Sequence, residues 1–218
     1  GRPGDVVTVL EGVKQKILPQ TKLLFARGCA ISSDSSTDIE QAVRVANQAD
    51  VAVVVLGEGA HMSGEAASRS NLDLPGRQNE LLKAIHQTGK PIVLVLMNGR
   101  PLTIPWAAEN VSAIVESWFL GIQSGNAIAD VLFGDVNPSG KLPASFPRSV
   151  GQIPLYYNHK STGRPFADSN KYTSKFLDVP NTPLYPFGFG LSYTKFSFSK
   201  IRASSRTIAK NQEIRIAV

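Results

Sequence analysis

The sequence has 218 residues, of which 42% are hydrophobic and 18% charged, and its net charge is +6. This composition is typical of a globular protein and excludes a collagen-like or wholly disordered chain. The length suits one large domain, or one domain and part of another.

The positive charge is concentrated in the last third of the sequence. Residues 1–150 carry 13 basic and 14 acidic side chains, whereas residues 151–218 carry 10 basic and 3 acidic ones. These lysines and arginines are scattered singly, which favours a solvated surface over a nucleic-acid site. The longest apolar runs, Val51–Leu56 and Pro91–Met97, are far shorter than the roughly 20 residues of a membrane-spanning helix. We therefore expect neither a nucleic-acid partner nor a membrane span.

Two features of the sequence bear on its origin and chemistry. The single cysteine, Cys29, excludes an intrachain disulfide, and the three histidines form no metal-ligand pair. We therefore expect no metal and no cofactor. The sequence opens with Gly1 rather than Met and shows no signal-peptide pattern, so we interpret it as an excised piece of a longer protein.

The first quarter of the sequence predicts helices and strands in alternation. A short helix is predicted over residues 12–18 and a short strand over Lys22–Ala26. Thr37 or Asp38 is placed to cap a helix whose apolar residues recur with helical spacing. Val51–Leu56 is an unbroken apolar run, which predicts a strand buried on both faces, as in a parallel sheet.

The middle of the sequence continues the alternation. A long loop over residues 57–75 precedes a helix predicted over Arg77–Gln87. Ile92–Met97 and Ala113–Glu116 are predicted as further strands, and a last helix ends near Gly134. This order predicts an α/β fold of three layers, a mainly parallel sheet with helices on both faces.

From about residue 137 the sequence becomes rich in proline and aromatic residues. It is too aromatic for a disordered linker, so we expect it to wrap over the α/β body with its rings packed inward. Two alternating patterns then predict short β-strands: Phe196, Phe198 and Ile201, followed by Ile214, Ile216 and Val218. We interpret residues 1–195 as the α/β domain and 196–218 as the truncated start of a β module.

The loop after Val51–Leu56 carries the most promising chemistry. Ligands of open α/β sheets bind outside the carboxyl ends of the strands, where loops hold the functional groups. Glu65 lies in this loop, where a carboxyl group suits general acid catalysis, and Arg69 follows closely enough to hold or tune it. On the residues alone, an exposed glutamate paired to Arg69 is the simpler interpretation, and Glu58 has a slightly weaker claim to function. The neighbours of Glu65 are small: Ser63, Gly64, Ala66 and Ala67.

Other chemistries fit the sequence less well. Gly57-Glu58-Gly59 follows a strand, as a nucleotide-binding turn does, but the next glycine lies five residues on rather than three. The two loop glutamates would also repel a pyrophosphate. Ser124 misses the centre of a Gly-x-Ser-x-Gly nucleophile motif by one position and is interpreted as a helix cap. Cys29 lies at no recognisable spacing from a histidine and is interpreted as a buried, inert cysteine.

Five segments of the sequence, each weak alone, are informative together. They are Ser63–Arg69 with Leu72–Pro75, Gly89–Pro101, Asn126–Gly134, Asn137–Pro143 and Tyr185–Tyr193. Taken in this order, they resemble the family 3 glycoside hydrolases, and within them the bacterial periplasmic β-glucosidases. The resemblance covers most of the chain.

The resemblance implies an architecture. It is that of the C-terminal domain of such an enzyme, a six-stranded α/β sandwich, followed from about Phe196 by the start of a fibronectin-type-III-like module. It also implies a (β/α)8-type barrel on the same polypeptide, ahead of this sequence, and a periplasmic or secreted location.

The resemblance also implies a mechanism. Members of the family are retaining, exo-acting glycosidases, which need two carboxyl groups about 5–5.5 Å apart. The nucleophile is then an aspartate on the barrel, Glu65 is the general acid/base, and Arg69 supports it. Glu58, His61 and Met62 are further candidates for substrate contacts, whereas Trp118 is assigned to core packing.

Three functions follow as predictions. The first is the C-terminal part of a β-glucosidase that removes terminal non-reducing β-D-glucosyl residues from β-glucosides or oligosaccharides, with the fragment alone inactive. The second is a non-catalytic carbohydrate-binding or structural α/β domain. The third is a nucleotide-binding α/β module. The short C-terminal strands also allow a homodimer, because open strand edges recruit partners.

Overall fold

The centre of the molecule is a three-stranded parallel sheet. A computed structural model describes residues 2–33, 38–161 and 163–217. The sheet consists of β1 (Ala52–Gly57), β2 (Ile92–Met97) and β3 (Ala113–Glu116), in that spatial order. β1 and β2 are paired over their whole length, and β3 ends opposite the last residues of β2. The carboxyl ends of all three strands therefore meet at one edge of the sheet.

Helices flank the sheet, and local sequence explains where some of them begin. α1 starts with a capping box, in which the Thr8 hydroxyl accepts from the Glu11 N–H at 3.2 Å and the Glu11 carboxylate accepts from the Thr8 N–H at 2.7 Å. α4 has a proline at its first position, where a missing N–H costs nothing. The helices of the described residues are α1 (Val9–Lys16), α2 (Ile39–Asn47), α3 (Gln78–His86), α4 (Pro105–Asn110) and α5 (Ser124–Leu132).

The core has two parts, one on each face of the sheet. On one face, Leu94 and Leu96 of β2 pack with buried residues of α2, α3 and α4. On the other, Val95 packs against α1 and α5 through Val9 and Ile128. The two helices of this second face cross closely, since a Cβ on Gly12 would lie 2.1 Å from the carbonyl oxygen of Gly125. This arrangement confirms the three-layer α/β fold with a parallel sheet.

Most of the predicted elements are present, with boundaries shifted by a few residues. The strands predicted at Ile92–Met97 and Ala113–Glu116 are confirmed. The strand predicted over Lys22–Ala26 is wrong, because this segment is paired with no strand among the residues that the structure describes. The helix predicted over residues 12–18 begins earlier, at Val9, and α4 was not predicted at all.

β1 departs from its prediction in burial. The sequence predicts a strand buried on both faces, but Val53 and Val55 are 40% and 41% exposed. β1 lies at the edge of the sheet, and α1 and α5 pack against Val95 and Val115 of the other two strands. One face of β1 is therefore left uncovered. The strand is present as predicted, but the prediction that both of its faces are buried is wrong.

The aromatic segment after α5 wraps over the body only in part. Phe146 is fully buried and packs in the core, and its N–H donates to the Tyr185 carbonyl oxygen at 2.8 Å. Tyr157 stacks on Phe187 at 4.4 Å between ring centroids, yet it is exposed, as is Tyr172. The expectation that the rings pack inward holds for Phe146 and fails for these tyrosines.

The last residues form one short antiparallel ladder between β4 (Arg202–Ala203) and β5 (Ile216–Ala217). The first predicted strand ended at Ile201, so β4 begins one residue beyond it, and Phe196 and Phe198 are exposed. Val218 and the proposed cap Thr37 lie outside the described residues. The central sheet has three strands in the described ranges, so six strands and a fibronectin-type-III-like module stay predictions. No described helix is long and apolar enough to cross a membrane.

Candidate active site

Polar side chains gather where the three parallel strands end. Glu58 follows β1 directly, Asn98 follows β2 directly, and Glu116 is the last residue of β3. Because the strands are parallel and in register, these residues share one edge of the sheet. This is the edge at which ligands of α/β sheets bind.

Glu58 carries a buried carboxylate that is fully engaged. Its side chain has no exposed surface. Arg69 Nη1 lies 2.7 Å from Oε1, Arg100 Nε lies 3.1 Å from the same atom, and the Gly99 N–H donates to Oε2 at 3.2 Å. A buried charge is tolerated when it is paired and hydrogen-bonded in this way.

The two arginines also hold the loop of residues 59–74, which we term the β1 loop. Arg100 Nη2 donates to the carbonyl oxygen of Ala67 at 2.8 Å and also to that of Met62. Arg69 Nη2 donates to the carbonyl oxygen of Asp73 at 3.0 Å. Glu58 and its two partners therefore tie the beginning, middle and end of the β1 loop to the sheet.

Glu65 lies at the tip of a turn in the β1 loop. The turn runs from Gly64 to Ala67, whose N–H donates to the Gly64 carbonyl oxygen at 3.4 Å. Ala66 has a φ of +58°, a backbone conformation that non-glycine residues rarely adopt outside such turns. The Glu65 side chain is exposed, and no hydrogen bond or ion pair engages it within the described residues. Its carboxylate is free to meet a ligand.

The structure separates Glu65 from the arginine expected to hold it. Glu65 is exposed, as the simpler interpretation expected, but Arg69 pairs with Glu58, so the pairing of Glu65 to Arg69 is wrong. His61 is exposed and Met62 half-buried in a 3₁₀ turn, Ala60–Met62, of the same loop. These two residues lie in the same loop as Glu65.

The structure also shows the surroundings of three other residues that the sequence singled out. Trp118 is half-buried against the core, with its ring 5.9 Å from that of Phe146, as assigned. Ser124 is the first residue of α5 rather than its cap, and its hydroxyl donates to the Val7 carbonyl oxygen at 3.3 Å. Cys29 is half-buried, and burial raises the pKa of its thiol, which disfavours the reactive thiolate.

Glu116 was not predicted as a functional residue, and its environment is unusual. The Asn98 amide donates to both of its carboxylate oxygens at 3.2 Å, and the Trp118 N–H donates to Oε1 at 3.0 Å. Desolvation raises the pKa of Glu116 to about 7 despite these hydrogen bonds, and the negative charge of Glu58 adds to the effect. Near neutral pH this carboxyl group is therefore a mixture of both protonation states.

Arg100 was also missed, because its partner Glu58 lies 42 residues away in sequence. A signal was available: both residues follow apolar runs that are predicted to be neighbouring strands. Within the described ranges, no group of three or more His, Cys, Asp or Glu side chains is placed to hold a metal ion. The chemistry available at this edge of the sheet is therefore that of carboxyl groups and guanidinium groups.

Comparison with known proteins identifies the family. Residues 2–193 match the family described as the glycosyl hydrolase family 3 C-terminal domain. The chain belongs to this family. Its relatives include a periplasmic β-glucosidase of Salmonella typhimurium, 48% identical over the whole chain, and a β-xylosidase of Formosa agariphila, 44% identical over the whole chain.

Solved structures of the family agree with the fold. The β-glucosidase of Listeria innocua in complex with gluconolactone matches 94% of this chain with a TM-score of 0.83 and 39% sequence identity. A β-glucosidase of Erythrobacter marinus matches 97% of the chain with a TM-score of 0.80. This chain covers 31% of the Salmonella protein, 30% of the Formosa protein and 28% of the Listeria chain, so its relatives are about three times as long.

Proposed function

We propose that this chain is the C-terminal part of a retaining, exo-acting β-glucosidase and that Glu65 is its general acid/base. The observation that carries the proposal is the state of Glu65, a free carboxylate on an exposed turn of a loop tied to the sheet edge. The relatives are glycoside hydrolases, and their names mention β-glucosidase and β-xylosidase activity. The substrate class we propose is a β-glucoside or a β-linked oligosaccharide.

In the proposed reaction Glu65 transfers one proton in each of two steps. In the first, an aspartate of the preceding barrel attacks C1 of the sugar, the bond from C1 to the glycosidic oxygen breaks, and Glu65 gives its proton to that oxygen. In the second, the Glu65 carboxylate takes a proton from water, whose oxygen attacks C1 and releases the aspartate. Each step inverts C1, so the configuration is retained.

The proposal extends to the whole polypeptide. We propose that residues 1–195 are the α/β domain, that residues 196–218 begin a fibronectin-type-III-like module, and that the complete sheet has six strands. A barrel of the same polypeptide would supply the nucleophile and most sugar contacts, with His61 and Met62 facing the substrate from the β1 loop. The name of the Salmonella relative supports a periplasmic or secreted location.

The test is Glu65→Ala in the full-length enzyme. For a substrate with a poor leaving group, such as an alkyl β-glucoside, kcat/KM should fall by about 10²–10⁴-fold, the usual contribution of general acid catalysis. For 2,4-dinitrophenyl β-glucoside the first step should be far less affected, because this leaving group needs no proton. Azide should restore turnover of the activated substrate and give the β-glycosyl azide, because it attacks C1 without needing a base.

The matched control is Glu40→Ala, which removes an exposed glutamate of α2 that pairs with Arg44 one helical turn further on. Its kinetics should equal those of the unmodified enzyme. If Glu65→Ala slows both substrates alike and azide has no effect, Glu65 is not the acid/base. If neither Glu65→Ala nor Glu65→Gln changes the rate, the chain is a non-catalytic carbohydrate-binding or structural domain.

A further inference from the structure

We propose that Arg100 is a positioning residue that fixes the location of Glu65, and that Glu58 anchors Arg100 rather than contacting the sugar. This inference rests on the proposed role of Glu65 as the acid/base. It assigns a task to two residues that the reaction itself does not use. Three structural features support this assignment: the turn, the anchor and the sheet.

The first feature is that Arg100 holds the chain on both sides of Glu65. One nitrogen of its guanidinium, Nη2, donates to the carbonyl oxygen of Met62, three residues before Glu65, and to that of Ala67, two residues after it. The guanidinium is planar and rigid, so both ends of this short stretch have a fixed position relative to one group. The side chain is only 20% exposed, so water competes little for these bonds.

The second feature is that Glu58 holds Arg100 in place. The Glu58 carboxylate is wholly buried and lies 3.1 Å from Arg100 Nε and 2.7 Å from Arg69 Nη1. With two guanidiniums and the Gly99 N–H as donors, it has no exposed oxygen to offer a sugar hydroxyl. Its charge instead orients Arg100 toward the β1 loop.

The third feature is that the anchor belongs to the sheet. Glu58 directly follows β1 and Arg100 lies three residues beyond β2, and the Glu58 N–H donates to the Met97 carbonyl oxygen at 2.9 Å. Gly99 leaves room for the loop, since a Cβ there would lie 1.9 Å from the Ser63 hydroxyl oxygen. The sheet therefore determines where Glu65 lies, although the Glu65 side chain makes no hydrogen bond or ion pair with it among the described residues.

The test uses the full-length enzyme with Arg100→Met, measured on the alkyl and the 2,4-dinitrophenyl β-glucoside. A proton donor displaced by about 1 Å loses about 100-fold in rate, so kcat/KM for the alkyl glucoside should fall by about that factor. The activated substrate should lose less than about 5-fold, because it needs little protonation. In a Glu65→Ala background, Arg100→Met should change neither rate by more than about 3-fold, since two residues that act as one unit are not additive.

Two variants keep the test decisive. Arg77→Met removes another partly buried arginine, which pairs with Glu80 at the start of α3 and lies outside the β1 loop, and it should alter both substrates equally or not at all. Arg100→Lys retains a charge beside Glu58 but has no rigid fork to span two carbonyl oxygens while pairing with it. If Arg100→Met does not fold, Arg100→Lys should show the same preference for the activated substrate.

The outcomes separate this inference from the proposed function. Equal loss on both substrates, or full additivity with Glu65→Ala, would overturn the positioning role of Arg100 while leaving the acid/base assignment intact. If Glu65→Ala itself shows no dependence on the leaving group, the proposed function fails, and the positioning role fails with it.

Discussion

The Glu116 carboxyl group makes the free energy of unfolding depend on pH. Desolvation at the end of β3 raises its pKa from the ordinary 4.5 to about 7. The folded chain therefore binds more protons here than the unfolded chain between these two pH values. A group of this kind lowers the free energy of unfolding as pH rises, because the buried site disfavours the ionised form.

We expect Glu116→Gln to change the pH dependence of stability in a defined direction. Below pH 4.5 the difference in the free energy of unfolding between the variant and the original chain should stay constant. The Glu116 carboxyl group is then neutral in both the folded and the unfolded state. Between pH 4.5 and a pH above 7, the free energy of unfolding of the variant should rise by about 1–2 kcal/mol relative to that of the original chain. This value allows for the partial exposure of Glu116. Urea unfolding of this chain at pH 4.5, 6 and 8.5 measures it, and a constant difference would contradict the prediction.

The residues of the candidate site differ in how well they could be predicted from the sequence. Glu65 is a candidate because it lies among small neighbours in the loop after a strand and because the family resemblance points to it, and its role stays a prediction. The contact between Glu58 and Arg100 left no local trace, because it forms only when two distant strands end side by side. The predicted contact between Glu65 and Arg69 failed because Glu58, a buried charge, needs its partners more than an exposed one does.

Among the elements, β1 and β2 form a natural pair for a stability test. Val55 lies directly opposite Val95 on the same face of the sheet, yet Val55 is 41% exposed and Val95 is fully buried. Val95→Ala should lower the free energy of unfolding by about 2 kcal/mol, from two lost methyl groups and the cavity they leave. Val55→Ala should cost less than about 1 kcal/mol.

Denaturant unfolding of the two variants measures this difference. Both remove the same two methyl groups from neighbouring strands, so propensity effects largely cancel between them. Equal losses would show that the second face of β1 is covered in solution.

Elements were predictable where hydrophobic pattern alone decides the structure. β2 is buried on both faces by helices, so its unbroken apolar run described it fully. Lys22–Ala26 has a strand-like composition, but a strand exists only where a neighbour accepts its hydrogen bonds. α4 escaped prediction because its six residues, Pro105–Asn110, are too few to show a helical period.

At the scale of the whole molecule, Glu65 is the one carboxyl group of this chain that we propose for the chemistry. We propose no other carboxyl group of the chain as its catalytic partner. Retaining hydrolysis needs two carboxyl groups about 5–5.5 Å apart, and we propose that the nucleophile lies on a barrel outside this chain. We expect this chain alone to show no turnover of 2,4-dinitrophenyl β-glucoside above the uncatalysed rate. Activity that disappears with Glu65→Gln would place the nucleophile within the chain and contradict this view.

The layered architecture could be predicted, whereas the aromatic segment after α5 could not. Alternating strands and helices allow few arrangements, and three layers with a parallel sheet is the common one. The segment after α5 has no periodicity, so nothing in its order of residues separates the buried Phe146 from the exposed Tyr157 and Tyr172. Its path depends on contacts with the finished domain.

The arginine contacts of the β1 loop have a consequence for variation within it. Arg100 and Arg69 bind carbonyl oxygens of Met62, Ala67 and Asp73, which every amino acid possesses. These contacts bind the loop through its backbone, whereas its second half is also held by its own side chains: Leu72 and Leu74 are buried, and the Asp73 carboxylate accepts from the Thr103 hydroxyl. We expect substitutions at the exposed residues His61 and Ser68 to leave in place the turn that carries Glu65. If Glu65 is the acid/base that we propose, a loop built in this way can acquire new substrate preferences while the position of that carboxyl group is kept.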